Sequence, residues 1–189
     1  MPFYPMPLDF CYCPTCRQNF KDKYGIDPLD IEDPSSNAEW MQYRWDALSN
    51  FASEICKEIK DCGKVASAAV FASPEESKKL VRQDWANFKN IDIIFPMLYH
   101  KFYGWDDSMV QTATRQGVDA LKAANSSAYL CTGLFVGHVP ADRIKEFIKM
   151  AKDGGSTGIC FFSIEGIFKT PGYLEALSQG TKALKEGEL

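Results

Sequence analysis

The chain has 189 residues, a net charge of −4, 46% hydrophobic residues and 24% charged ones. That length favours one domain with a sizeable core, and the acidic balance leaves no electrostatic footprint for nucleic acid. The apolar runs are strand-sized, well short of the ~20 residues that a membrane-spanning helix needs. Residues 1–7 hold three prolines and lack the charged and apolar regions of a signal peptide, which predicts an extended leader. The compartment is left open.

Residues 14–25 read as a short helix stopped by Gly25, and 26–35 as a loop broken by Pro28 and Pro34. Ser36-Asn-Ala-Glu39 is a capping box that opens the longest helix. Its apolar stripe is Met41, Trp45, Leu48, Ala52, Ile55, Ile59 and Cys62, and Gly63 ends it. Four short apolar runs follow at 65–71, 91–98, 129–136 and 158–162. After the first, Ser73-Pro-Glu-Glu76 is a second capping box with proline at the first helical position. Gln83-Asp84-Trp85 then interrupts before a short helical stretch to Lys89. Pro96 lies near the end of the second run, where regular pairing is expected to fail. Helical patterns follow at 107–124, from Pro140 with Ile144, Phe147, Ile148 and Ala151 on one face, and from Thr170-Pro171 through Leu174, Leu177 and Leu184.

Apolar strands alternating with amphipathic helices define an α/β chain whose parallel sheet is covered by helices. A complete (β/α)8 barrel takes roughly 250 residues. The expectation is therefore a partial (β/α)8 TIM barrel with about four parallel strands. Residues 1–36 read as a loop-rich leader with a short helix, and 37–189 as the half-barrel.

In such folds the loops after each strand face the ligand. That rule selects Ser73, Gln83, Asp84 and Trp85 after the first run, and Tyr99, His100, Lys101, Tyr103, Trp105 and Asp106 after the second. The third offers His138, and the fourth Ser163 and Glu165. Aromatic faces and amides suit sugar rings, and glycosidic cleavage generally uses two carboxyl groups. Asp84 and Glu165 are the candidate catalytic pair; Gln83, Trp85, Tyr99, His100 and Trp105 are candidate substrate contacts. Each has a plainer reading. Asp84 would cap the short helix after it, Glu165 would be a solvated loop acid, and Asp106 and Asp107 would cap their helix. The two histidines would pack, and Asp92, at a strand start, belongs to the stability face. No cofactor signature such as G-x-S-x-G, H-E-x-x-H, a P-loop or G-x-G-x-x-G occurs, and no cofactor is expected.

Of the seven cysteines, Cys56, Cys62, Cys131 and Cys160 fall in helix or strand patterns and are expected as buried thiols. Cys11, Cys13 and Cys16 form a C-x-C-x-x-C cluster. A structural zinc normally takes four ligands, and there is no second C-x-x-C and no paired histidine. Packed thiols are the main expectation, with a metal and a disulfide as alternatives, and no metal ligand is assigned.

Phe10-Cys-Tyr-Cys-Pro-Thr-Cys-Arg-Gln-Asn-Phe20, then Trp40-x-x-x-Arg44, Arg82-Gln-Asp-Trp85 and Asp92-Ile-Ile-Phe-Pro-Met-Leu-Tyr99, follow one another along the chain. This ordered set resembles the predicted bacterial glycoside hydrolases called glycosyl-hydrolase-family-10-like, (β/α)8 barrels distantly related to amylase-type enzymes. The resemblance implies strands five to eight of the barrel and action on an oligo- or polysaccharide. It also implies roles for Gln83, Asp84, Trp85 and Tyr99 as substrate contacts. In that family the Cys-rich segment follows a strand ending in an Asp-Tyr-x-Arg-Tyr-Pro-like motif with the expected catalytic aspartate, and no such motif precedes Cys11. Two readings follow. One is the C-terminal half of a glycoside hydrolase; the other is a non-catalytic carbohydrate-binding half-barrel. An open sheet exposes edges and an apolar face, so a homodimer is expected. A metal or redox module on the three leader cysteines is a third reading.

Overall fold

The computed structural model describes residues 11–188; the expected extended leader over residues 1–7 and the first residue of the Cys-rich motif lie outside them. The elements in chain order are α1 (Pro14–Tyr24), α2 (Ala38–Asp61), β1 (Ser67–Val70), α3 (Pro74–Val81), β2 (Ile93–Pro96) and α4 (Met109–Ala123). They continue as β3 (Tyr129–Phe135), α5 (Ile144–Asp153), β4 (Gly158–Phe162), α6 (Ile164–Lys169) and α7 (Tyr173–Glu186). The sheet order is β1-β2-β3-β4, every pair parallel, with Val70 opposite Pro96, Ile93 opposite Tyr129 and Phe135 opposite Phe162.

The local signals act as physics predicts. Gly25 takes φ 79° at the end of α1, a conformation cheap only for glycine. Ser73 Oγ accepts the Glu76 N–H at 3.2 Å and starts α3 behind Pro74. Pro96 ends β2, although the Met97 N–H still donates to the Val70 carbonyl at 2.9 Å. Asp92 holds the strand starts together by accepting the Ala66 N–H at 2.9 Å and pairing with Lys60 at 2.6 Å.

Several expectations need correction. The cap of α2 is Asn37, not Ser36: its side chain accepts the Trp40 N–H at 2.8 Å. The buried face of α2 runs through Ser49, Ala52, Cys56 and Ile59, so Ile55 and Cys62 turn outward. Of the four cysteines expected inside, Cys56 is buried, Cys131 half-buried, and Cys62 and Cys160 exposed. Cys62 lies past the packing face of α2, and Cys160 lies on the uncovered face of the sheet. A short helix, α6, fills what reads as a loop, because Ser163 accepts the Gly166 N–H and caps it. The terminal helix accordingly begins at Tyr173.

The sheet has two unlike faces. Ala66, Val70, Ile94, Leu130 and Leu134 are buried beneath the helices, in one cluster with Trp85 and Leu121 and another with Phe147, Ile148 and Tyr173. On the other face Ser67, Ala69, Tyr129, Cys160 and Phe162 are exposed, and Ile93, Phe95 and Phe135 are half-covered. Parallel sheets are ordinarily covered on both sides. This one is covered on a single side by the helices that would form the outer wall of a barrel. It is a four-strand partial TIM-barrel fold.

Candidate functional site: an aromatic cup at the strand ends

Side chains alternate across a strand, and that parity builds the site. Along β2 and its continuation, Ile93, Phe95, Met97 and Tyr99 point to the open face, whereas Ile94, Leu98 and His100 are buried on the helix side. Phe71 after β1, Phe135 at the end of β3 and Phe162 at the end of β4 share the open face. Phe102 and Tyr103 join them from the 3-10 turn at His100–Tyr103. These residues and Met97 line a cavity of about 260 Å³ at the carboxyl ends of all four strands. Tyr99 is central to it. Its ring lies 5.9 Å from Phe162 in a stacked arrangement, 5.6 Å from Phe135 and 6.3 Å from Phe102. Burial raises the Tyr99 phenol above its ordinary value, so the hydroxyl stays protonated at neutral pH and available as a donor. Gly133 keeps the approach of β3 to β2 close: a Cβ there would stand 2.8 Å from the Pro96 carbonyl oxygen.

The residues selected from the sequence separate by the same parity. Tyr99 lines the cup. Gln83 reaches it through the backbone, because its side-chain oxygen accepts the Phe71 N–H at 2.8 Å. Trp105 stacks behind it on Tyr103, with ring centroids 4.6 Å apart. Asp84 is 6% exposed; its carboxylate pairs with Lys78 at 3.1 Å and accepts the Asn87 amide at 2.8 Å. Trp85 is fully buried and fills the notch that Gly117 leaves beside Leu130. His100 lies on the helix side. Glu165 sits in the first turn of α6, three residues beyond Phe162, with its side chain 69% exposed and paired with Lys169. Among the described residues no carboxylate lines the cup. Phe71, Met97, Phe102, Phe135 and Phe162 were not selected by the sequence rule, which looked for polar residues. Their signal was present, since Phe71 and Phe162 end apolar runs, Phe135 is the last residue but one of its run, and Phe102 follows Leu98 by four residues.

Behind the cup lies a polar cluster that runs from the buried His100 out to the surface. His100 Nε2 is 2.9 Å from Asp107 Oδ1, a close contact outside hydrogen-bond alignment. The other oxygen of Asp107 pairs with Arg143, which also holds Glu146 through two contacts at 2.7 and 2.8 Å. Asp107 therefore does not cap α4; the turn before that helix is held by Asp106, which accepts the Ser108 N–H at 2.9 Å. His138 stands 5.4 Å from His100, ring to ring. Burial lowers the pKa of both imidazoles, for His100 against the pull of Asp107. Burial works to raise Asp107, but Arg143 and His100 outweigh it and the net shift is downward.

The one cluster of metal-ligating groups among the described residues is Cys11, Cys13 and Cys16, with Sγ atoms within 4.8 Å of one another. Hydrogen bonds, first from the Cys16 backbone and then from the neighbouring thiols, hold Cys13 down at about 7, while burial pushes Cys16 up to about 11.

Parallel strands covered by helices on one side, with a ligand-sized cup at their carboxyl ends, define the class of this molecule: a half-barrel of the (β/α)8 type. Among solved structures the chain is similar to the PgaB (BpsB) glycoside hydrolase domain from Bordetella bronchiseptica, with a TM-score of 0.63 and 14% sequence identity. The match covers 89% of this chain and 51% of that one, so the chain spans about half the length of its structural neighbour. At this identity the likeness is one of fold alone. No family model matches the sequence, and neither does any curated protein.

Proposed function

We propose that the chain supplies strands five to eight of a glycoside-hydrolase-type barrel and that its aromatic cup binds a sugar ring of an oligo- or polysaccharide. The observation that carries this reading is the convergence of four strand ends on one cavity walled by aromatic rings. Such rings offer flat apolar faces to the C–H face of a pyranose, and the Tyr99 hydroxyl adds a polar handle. The fold shared with a glycoside hydrolase domain agrees with it.

Hydrolysis would need a carboxylic acid to protonate the leaving oxygen and a carboxylate as nucleophile or base. Glu165 stands just beyond the cup, its carboxylate exposed and paired only with the equally exposed Lys169, and we assign it the part of one of the two. Asp84 is already committed to Lys78 and Asn87. The cup lining itself favours a second reading, in which this chain binds carbohydrate and catalysis needs groups from the other half of the ring. A second copy of the chain is our proposed source of those strands.

Calorimetric titration with a panel of oligosaccharides, paired with aryl-glycoside turnover, tests both readings. Binding that weakens at least about tenfold in Tyr99→Ala or Phe162→Ala supports the cup. Turnover lost in Glu165→Gln supports the hydrolase, and binding without turnover supports the second reading. A chain that binds no sugar, or that binds equally well without the Tyr99 ring, overturns both.

A further inference from the structure

The sequence offers three thiols where a closed structural zinc site takes four ligands; the structure adds that they converge. Cys13 is the N-cap of α1, with extended backbone, and Pro14 occupies the first helical position. Cys16 is then the third residue of the helix. The side chains of a cap residue and of the third helical residue meet over the helix start, as they do in a capping box. Cys11 folds back onto the same point, and the Cys13 N–H donates to its Sγ at 3.3 Å. All three Sγ atoms end within 4.8 Å of one another, at positions that are exposed or half-exposed and so open to an ion.

A tetrahedral zinc with Zn–S bonds of about 2.3 Å needs its sulfurs roughly 3.8 Å apart. Side-chain rotation of a few tenths of an ångström to one ångström closes the difference. The three Sγ atoms gather at the positive end of the α1 dipole, and an N–H···S bond is already made to Cys11. Hard oxygen-preferring cations have no donors in this set, and soft thiolate donors select zinc-like ions.

We propose that Cys11, Cys13 and Cys16 bind one Zn(II) through three thiolates, with the fourth position left to water or to an exogenous ligand. The ion would tie the leader to the barrel wall. The Cys16 carbonyl accepts from the Tyr43 hydroxyl at 3.4 Å, and Tyr12, between two ligands, stacks on Trp40 with centroids 5.3 Å apart. Both partners belong to α2, so the metal would fix α1 and its approach against α2.

The test uses the full chain, reduced and without added sugar, and Zn(II) or Co(II) alone as probe. The expected result is one equivalent of zinc retained through gel filtration and, with Co(II), a thiolate-to-metal charge-transfer band. Cys13→Ser should weaken binding by at least about tenfold, since even groups behind the ligands cost that much, while Cys160→Ser should leave it unchanged. Because a variant can fail for want of folding, alkylation of the unaltered chain is mapped alongside. Zinc should protect Cys11, Cys13 and Cys16 from iodoacetamide and leave the exposed Cys62 and Cys160 reactive. No stoichiometric zinc, no selective protection, or equal binding by a chain with serine at all three positions would overturn the proposal.

Discussion

The side-chain oxygen of Gln83 accepts the backbone N–H of Phe71 at 2.8 Å, so a residue beyond α3 finishes the hydrogen bonding of the chain that leaves β1. Phe71 lines the cup, and Gln83 therefore acts on it through the backbone. Gln83→Ala leaves a half-buried backbone donor unpaired and is expected to cost about 1–3 kcal/mol. Urea denaturation measures it. A Gln83→Glu variant keeps the acceptor and should recover most of the loss; equal losses for the two would contradict this role.

Trp85 and Gly117 are complementary. A Cβ on Gly117 would stand 2.7 Å from Leu130 Cδ1 and 3.0 Å from Trp85 Cη2. Gly117→Ala, ordinarily favourable in a helix interior, is expected to destabilise by about 1–3 kcal/mol through overpacking. Trp85→Ala should cost about 3–5 kcal/mol through the cavity it leaves. Combined with a smaller residue at position 85, the Gly117→Ala loss should shrink, which a double-mutant cycle would read.

The buried histidines make stability depend on pH. The folded pKa values of His100 and His138 lie below the ordinary 6.5, so on acidification the unfolded chain takes up protons first. The stabilisation from this pair is complete above about 6.5 and is lost as pH falls through the folded values. The urea midpoint should drop on going from about pH 7 to 5, and His100→Gln with His138→Gln should flatten that slope. Asp107 is lowered below 3.8 and adds a separate loss at lower pH. A flat midpoint down to about pH 5 would exclude the histidine contribution.

The open face carries exposed Tyr129 and Phe162, and β1 and β4 are the edge strands of the sheet among the described residues. If a second copy completes the ring, sedimentation at micromolar concentration should show a dimer, and Tyr129→Asp with Phe162→Asp should dissociate it by placing charges in an apolar contact. A monomer in the unaltered chain would exclude self-pairing as the source of the missing strands.

Much of the fold is written locally. Caps such as Ser73-Pro74, the stop at Gly25 and the four apolar runs are each resolved within a few residues, because hydrogen-bond satisfaction and backbone freedom at element ends are short-range. The strand count, the parallel order and the half-barrel class follow from them. Less was legible where competing local signals lay side by side, as with Ser36 and Asn37, or where a six-residue helix followed β4 too closely to show a period.

The site is another matter. Tyr99 and His100 are adjacent in sequence, yet pleat and register send one into the cup and the other behind it, and a shift of one residue would exchange them. Trp85 looks as much like a sugar platform as Tyr99 until Gly117 is seen to leave room for it in the core. Sequence alone determined which residue types reach the strand ends and placed three thiols near one helix start. Tertiary structure decided which rings share a cavity, which acids are already neutralised and that the thiols converge, because those outcomes depend on contacts between segments whose separation along the chain says nothing about their distance in space.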